Sequence, residues 1–186
     1  MLCRIAPLRS RLLAKVLQFL KVFVDIVLWR RGPQDLPSSM LLVAGTLIAY
    51  LLVSGISLLL DRSSSQGYFV FLVLDPVLLM SWIWIVLRVY RREARYRQTI
   101  AAILGASALV TLVMLLPLQV LVEFGSPNPS LATKQILAYG YLTLQMLVAG
   151  RIVKLATDSN LFAGVCVMAV YIFVELLIAS LMTPGT

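Results

Sequence analysis

The chain has 186 residues, 61% of them hydrophobic, with a mean hydropathy of +0.96; this is far above the roughly half-apolar usage of a soluble domain and excludes a water-soluble globule. The absence of histidine removes the commonest metal ligand and general base, and with it zinc sites and Ser-His chemistry. The net charge of +8 would suggest nucleic acid in a soluble protein, but here the positions of the cations have to be read first.

The segment ahead of the first long apolar run carries Arg11, Lys15, Gln18, Lys21 and Asp25 at spacings of 4, 3, 3 and 4, with apolar residues filling the gaps. That pattern predicts a helix with a narrow polar stripe. Two readings fit it. The helix lies in the headgroup plane with its cations toward anionic lipid, or it packs against the bundle and the stripe is merely solvated. A cleaved signal peptide fits poorly because charges recur through the middle and no A-x-A site follows, and Asp25 and Asp35 count against a mitochondrial presequence. Cys3 here and Cys166 in a later apolar run stand in different contexts, so no disulfide framework is indicated.

The stretch RRGPQDLPSS, residues 30–39, reads as an elbow. Arg30 and Arg31 suit the negative end of the lead-in helix, and Gly32 followed by Pro33 is a good stop. Pro37 with Ser38 or Ser39 can start and cap the next helix. Gln34 and Asp35 are left unassigned by this account. The expected organisation is an N-terminal segment over 1–38 and a membrane domain over 39–186.

Five apolar runs are long enough to cross a hydrocarbon core, which needs about 20 helical residues at about 1.5 Å each. They cover roughly Met40 to Leu60, Tyr68 to Leu87, Thr99 to Leu121, Leu131 to Gly150 and Leu161 to Met182. Lipid leaves no backbone group unpaired, so these runs should be helices. The expected fold is all-α: a polytopic membrane protein of five transmembrane helices preceded by an amphipathic interfacial helix.

Fourteen of the 16 lysines and arginines fall before the first span or in the second and fourth connections, leaving only Arg62 and Lys134 for the other side. The positive-inside rule then expects a cytoplasmic N-terminus and an outside C-terminus. The basic excess is explained by topology, and no nucleic-acid partner is expected. Short loops with no extramembrane domain suggest a bacterial inner membrane.

Within the spans, Asp75 stands beside Pro76 in the second run and Glu175 in the fifth. An ionisable group inside a membrane helix costs at least about 2.5 kcal/mol on insertion scales and usually faces an interior or a cavity. Counting each helix by its direction puts both acids roughly 10 to 12 Å below the outer boundary. Tyr50, Ser54, Ser57, Gln119 beside Pro117, Tyr139, Tyr141 and Gln145 fall in the same outer half. If these faces converge they line a polar pocket holding two carboxylates, of which one is protonated or which share a cation. The plainer reading is that each polar group makes its own interhelical hydrogen bond, often worth only about 0.6 kcal/mol.

The loop RVYRREARYRQ gathers Arg88, Arg91, Arg92, Arg95 and Arg97 with Tyr90 and Tyr96. Together with Lys15 and Lys21 it is a candidate face for lipid headgroups or an acidic partner, although ordinary positive-inside anchoring needs no more than this. Trp82 and Trp84 lie too deep for an interfacial belt and are expected to pack. Ala101 and Gly105, four apart, suggest close helix contact in the third span. No nucleotide-binding, metalloprotease, serine-hydrolase or C-x-x-C signature is present. No cofactor, metal site or catalytic residue is expected; an aspartyl mechanism would have only Asp75 and Glu175 to draw on.

Five spans, a cytoplasmic N-terminus, a short outside C-terminus and the Gly140-Tyr141 pair in LAYGYL resemble the Yip1-type membrane proteins. The resemblance is one of architecture and covers most of the chain. The acidic Asp-Leu-Tyr-Gly-Pro element of the eukaryotic members is missing, GPQDLP being a distant echo of it, and no family residue carries over as a site. The resemblance implies a non-enzymatic factor in membrane traffic or assembly that contacts membrane lipids and other membrane proteins. A small transporter or channel component using the Asp75 and Glu175 level is the alternative that the spans themselves raise.

Overall fold

A chain this apolar can satisfy its backbone in lipid by closing each hydrogen bond within its own helix or by closing strands into a barrel, and the helical solution is the one found in the computed structural model, which describes residues 20–60, 66–125 and 130–182. Every long element is helical, and the described residues contain no strand. The chain ends a short helix, α1, over 20–27 and passes through a 3-10 turn at Pro33–Asp35. The spans follow as α2 (Met40–Leu60), α3 (Gln66–Val89), a third span built from α4 (Tyr96–Val110), a π-helical turn (Thr111–Leu115) and α5 (Leu116–Gly125), then α6 (Leu131–Thr157) and α7 (Leu161–Met182). Among the described residues, five helices are long and apolar enough to cross a membrane.

The π turn has a local cause. Pro117 has no N–H for the carbonyl four residues back and its ring crowds that carbonyl. Just upstream the ladder widens, so that the Leu116 N–H reaches the Thr111 carbonyl five residues away.

The third span is the hub. Its 18-residue apolar stretch is about two-thirds buried, against a third or less of the corresponding stretch of each other span, because α4 presents Ala101, Ala102, Gly105, Ala106, Ser107 and Ala108 where its neighbours approach. Ile100, Ile103 and Leu104 complete its buried surface, joined in the core by Ile83 and Leu87 of α3 and Ile152 and Val153 of α6. α6 and α7 pack as an antiparallel pair at Gly150 and Gly164, where a side chain on Gly164 would strike the Gly150 carbonyl.

At the arginine-rich end, three helices finish on a non-glycine residue in the left-handed region: Trp29 (φ 66°), Arg91 (φ 55°) and Asp158 (φ 56°). The first two close full Schellman motifs: the Arg30 N–H reaches the Asp25 carbonyl at 2.8 Å and the Arg92 N–H the Leu87 carbonyl at 2.8 Å. The lead-in helix therefore stops at Trp29, not at Gly32 as its sequence suggests. Gly32 is extended, and Pro33 opens the 3-10 turn, in which the Asp35 carboxylate accepts the Gly32 N–H at 3.0 Å. Asp35 is thus the turn's own acceptor. Leu36, before Pro37, is buried, and its carbonyl takes a 2.7 Å hydrogen bond from the Gln98 side chain of α4.

The described part of the lead-in is packed on the bundle. Phe23 and Ile26 belong to the core, and the Phe23 ring fills the space that a side chain at Gly105 would need. Asp25, expected on a solvated stripe, is only 9% exposed and is reached by Arg31 at 3.3 Å. The remainder of the stripe, with Lys15, lies outside the described residues, and Lys21 is exposed.

Candidate functional site

The site is built on Asp75. It sits in α3 immediately before Pro76, which has no N–H to give the carbonyl of Leu72, so this stretch of helix already carries an open polar group. Asp75 is 7% exposed, and both its carboxylate oxygens are taken. The hydroxyl of Tyr50, from α2, donates to Oδ2 in a short contact, and that of Tyr171, from α7, donates to Oδ1 at 2.5 Å. Three helices are thereby tied to one side chain.

Glu175 lies one helical turn beyond Tyr171 on the same face of α7. It lines the same two cavities as Tyr50 and Asp75. One, of about 90 Å³, extends toward the arginine-rich end between Leu79, Ile103, Ala149 and Met168. The other, of about 150 Å³, extends the opposite way past Ser54, Leu58, Phe71 and Leu72. Each is large enough for several waters, and the two carboxylates with Tyr50 stand where they meet.

The wall of the first cavity carries a closed ring of hydrogen bonds whose direction can be worked out. The Thr111 hydroxyl donates to the Ser107 carbonyl at 2.9 Å, which spends its only proton. Tyr141 must therefore donate to Thr111 at 2.8 Å, while accepting from the Gln145 amide at 2.8 Å. Ser107 closes the ring by donating to the Gln145 carbonyl oxygen at 3.1 Å. Tyr141 has no proton left for either acid, so the ring is a satisfied polar wall and the two other tyrosines serve Asp75.

Of the residues that the sequence nominates for the pocket, the structure brings together Tyr50, Asp75, Tyr141, Gln145 and Glu175, with Ser54 on the outer cavity. Gln119 does not join them; its side chain accepts from Ser57 at 2.8 Å, pinning α5 to α2 elsewhere. Tyr139 is 67% exposed on the surface of α6, on the side of the helix roughly opposite Tyr141, since two residues at about 100° each turn it most of the way round. Tyr171, Ser107 and Thr111 were missed. Tyr171 could have been found from its i, i+4 relation to Glu175; Ser107 and Thr111 share the same spacing but look like ordinary helix hydroxyls. Trp82 packs against Tyr171 with ring centroids 6.4 Å apart. Trp84 instead is 44% exposed, with the Arg88 guanidinium 4.8 Å above its ring.

The arginine loop divides. Arg92 and Arg95 both grip Asp158, at 2.9 and 3.0 Å, and Arg95 also donates to the Leu155 and Ala156 carbonyls at the end of α6. The hydrogen bond from Arg95, with the charge of both arginines, holds the Asp158 carboxyl below its ordinary value. Arg151 caps α1 in the same manner, donating to the Ile26 and Trp29 carbonyls and lying over the Trp29 ring. Arg88, Arg91 and Arg97 stay exposed, Arg88 with a loose 3.9 Å approach to Glu93.

Among the described residues no three histidine, cysteine, aspartate or glutamate side chains gather as a metal cluster. Comparison with protein families, with curated proteins and with solved structures finds no match to the chain.

Proposed function

We propose that this protein is a small transporter or channel component that takes up a proton or small cation at Asp75 and Glu175. The observation that carries the reading is that both carboxylates line two cavities that extend from them in opposite directions along the bundle. A purely structural acceptor needs its donors, which Tyr50 and Tyr171 supply; it does not need a second carboxylate at the junction of two cavities. Proton or cation uptake would neutralise the pair where water is scarce. The lysine and arginine concentrated at one end support a cytoplasmic N-terminus and an outside C-terminus, and the short loops support a bacterial inner membrane as its place.

Proteoliposomes of the full chain, loaded with a pH dye and then with sodium or potassium gradients, test the proposal. Flux should be lost in Asp75→Asn and in Glu175→Gln while both variants keep the helical spectrum and monodispersity of the parent. Equal flux in the parent and both folded variants sinks it, as does a parent that moves neither protons nor these cations.

A second reading, assembly through contacts with other membrane proteins as the Yip1-type resemblance implies, draws its support from α6. Ile136, Tyr139, Gly140 and Thr143 share one exposed face, and nothing lies within 4 Å of where a Gly140 side chain would be. A glycine and two hydroxyl-bearing residues on one exposed face allow close approach and hydrogen bonding by a neighbouring helix.

A further inference from the structure

We infer that the groove between α3 and α4 at the arginine-rich end binds an anionic phospholipid, with its phosphate on Arg88 and an acyl chain along the groove. The groove has a volume of about 430 Å³ and is lined by Val77, Met80, Ser81, Trp84, Ile85 and Tyr96. Its head and its length both point to this occupant.

At the head, the Arg88 guanidinium carbon lies 4.8 Å from the centroid of the Trp84 ring, itself a lining residue, and the Arg88 side chain is 62% exposed. A cation held over an aromatic face keeps its place beside the groove while its N–H donors remain open to a phosphate. The charge around it is also one-sided. Arg88, Arg91, Arg92, Arg95 and Arg97 are countered locally by Glu93 and Asp158, and Asp158 is occupied by Arg92 and Arg95. Glu93 approaches Arg88 only at 3.9 Å between two well-exposed side chains, a pairing weak enough to yield to a bidentate phosphate.

Along its length, Val77 lies eleven residues before Arg88 on α3, about 16 Å at the helical rise and about the hydrocarbon depth of one leaflet. The wall along this path is apolar except for two hydroxyls whose protons are already used: Ser81 donates to the Val77 carbonyl at 2.8 Å and Tyr96 to the Met80 carbonyl at 3.2 Å. The groove therefore offers a chain-shaped apolar track under a fixed cation. Of the five loop arginines that the sequence offers alike, the structure leaves this one at the top of a track.

The test uses Trp84 as the reporter. In the full chain carrying Trp29→Phe and Trp82→Phe, Trp84 is the remaining tryptophan; Trp82 has a buried indole N–H without a partner, so phenylalanine there forfeits no hydrogen bond. The protein is reconstituted in phosphatidylcholine vesicles with increasing fractions of phosphatidylglycerol, one or the other brominated on its acyl chains. Quenching of Trp84 should show a preference for brominated phosphatidylglycerol of about fivefold, the size that one cation near a membrane surface supplies. Arg88→Gln should abolish that preference, while Arg91→Gln and Arg97→Gln should leave most of it. Equal quenching by both lipids would overturn the proposal. An equal fall in preference for all three arginine variants would overturn it too, because the attraction would then belong to the basic surface and not to the groove.

Discussion

Tyr171 and Asp75, separated by 96 positions in the chain, meet through a 2.5 Å hydrogen bond from the tyrosine hydroxyl to Oδ1. With Tyr50 on the other oxygen, the aspartate becomes the point where α2, α3 and α7 are held in register. A group that cannot be left unpaired in lipid serves as the pin of the bundle's interior, and Glu175 is set beside it on the same helix face as one of its donors.

That relationship predicts coupling. In a double-mutant cycle of Tyr171→Phe and Asp75→Asn, read by unfolding in mixed micelles, the interaction energy should be about 0.6 to 1.7 kcal/mol, the range for hydrogen bonds between membrane helices. Single effects that add to within about 0.3 kcal/mol would mean that the pair is not energetically joined.

The Asp158 clamp makes a pH prediction whose sign follows from its direction. The carboxyl is held below the ordinary aspartate value of 3.8 by Arg95 and Arg92. A folded-state value below the unfolded one contributes stability above the unfolded value and loses it as pH falls through the folded one. The stability difference between the parent and Asp158→Asn should therefore be constant from neutrality down to about pH 5 and shrink progressively in stronger acid. A difference that closes near pH 6 would assign the effect to another group.

Three glycines should respond differently to alanine. At Gly164 the new methyl meets the Gly150 backbone, which cannot turn away, and the α6 and α7 pair should lose about 1 to 3 kcal/mol. At Gly105 it meets the Phe23 ring, so the described part of α1 should detach, seen as new protease cleavage near residues 20–27. At Gly140 nothing lies within 4 Å, and alanine should be neutral or stabilising by up to about 1 kcal/mol. Destabilisation by Gly140→Ala as large as that by Gly164→Ala would contradict the packing described for α6.

Arg91 holds a left-handed conformation that glycine adopts freely, and its side chain is exposed at the end of α3. Arg91→Gly should stabilise the folded protein by about 1 kcal/mol, since the Schellman hydrogen bonds are made by the backbone alone. The midpoint of thermal unfolding is the simplest measurement, and a fall in it would be the opposite of what the geometry requires.

Much of this molecule follows from sequence because lipid is an undemanding judge of detail and a strict judge of polarity. Five apolar runs without enough charge to stop them had to become helices, and two of the expected spans, Met40–Leu60 and Leu161–Met182, coincide with the observed elements at both ends. The other spans run beyond their apolar windows: α6 continues through Arg151 and Lys154 to Thr157, because a cation can extend outward or cap a neighbouring helix without ending its own. Equal depth for Asp75 and Glu175 was likewise a matter of counting residues along each helix.

Rotation was not legible, and rotation decided the site. Depth along a helix is set by the rise per residue, but the direction in which a side chain points depends on which neighbour packs where, and apolar runs this uniform leave no hydrophobic face to indicate it. So Tyr139 and Tyr141, two residues apart, part company, one exposed on the outside of α6 and one inside the hydrogen-bond ring. Gln119 went to Ser57, and Tyr171, unremarkable in its own stretch, became a ligand of Asp75. The elbow shows the same division. That the chain turns there was written in its glycine and prolines, but only the packing of Phe23 and Ile26 on the bundle brought the helix to its end at Trp29. The sequence by itself determined which segments are long and apolar enough to cross a membrane and how far along its helix each acid lies. The tertiary structure decided which of those groups face one another, because in a lipid-like interior the favoured helix rotations are those that bring polar groups such as Asp75, Tyr50 and Tyr171 to one another.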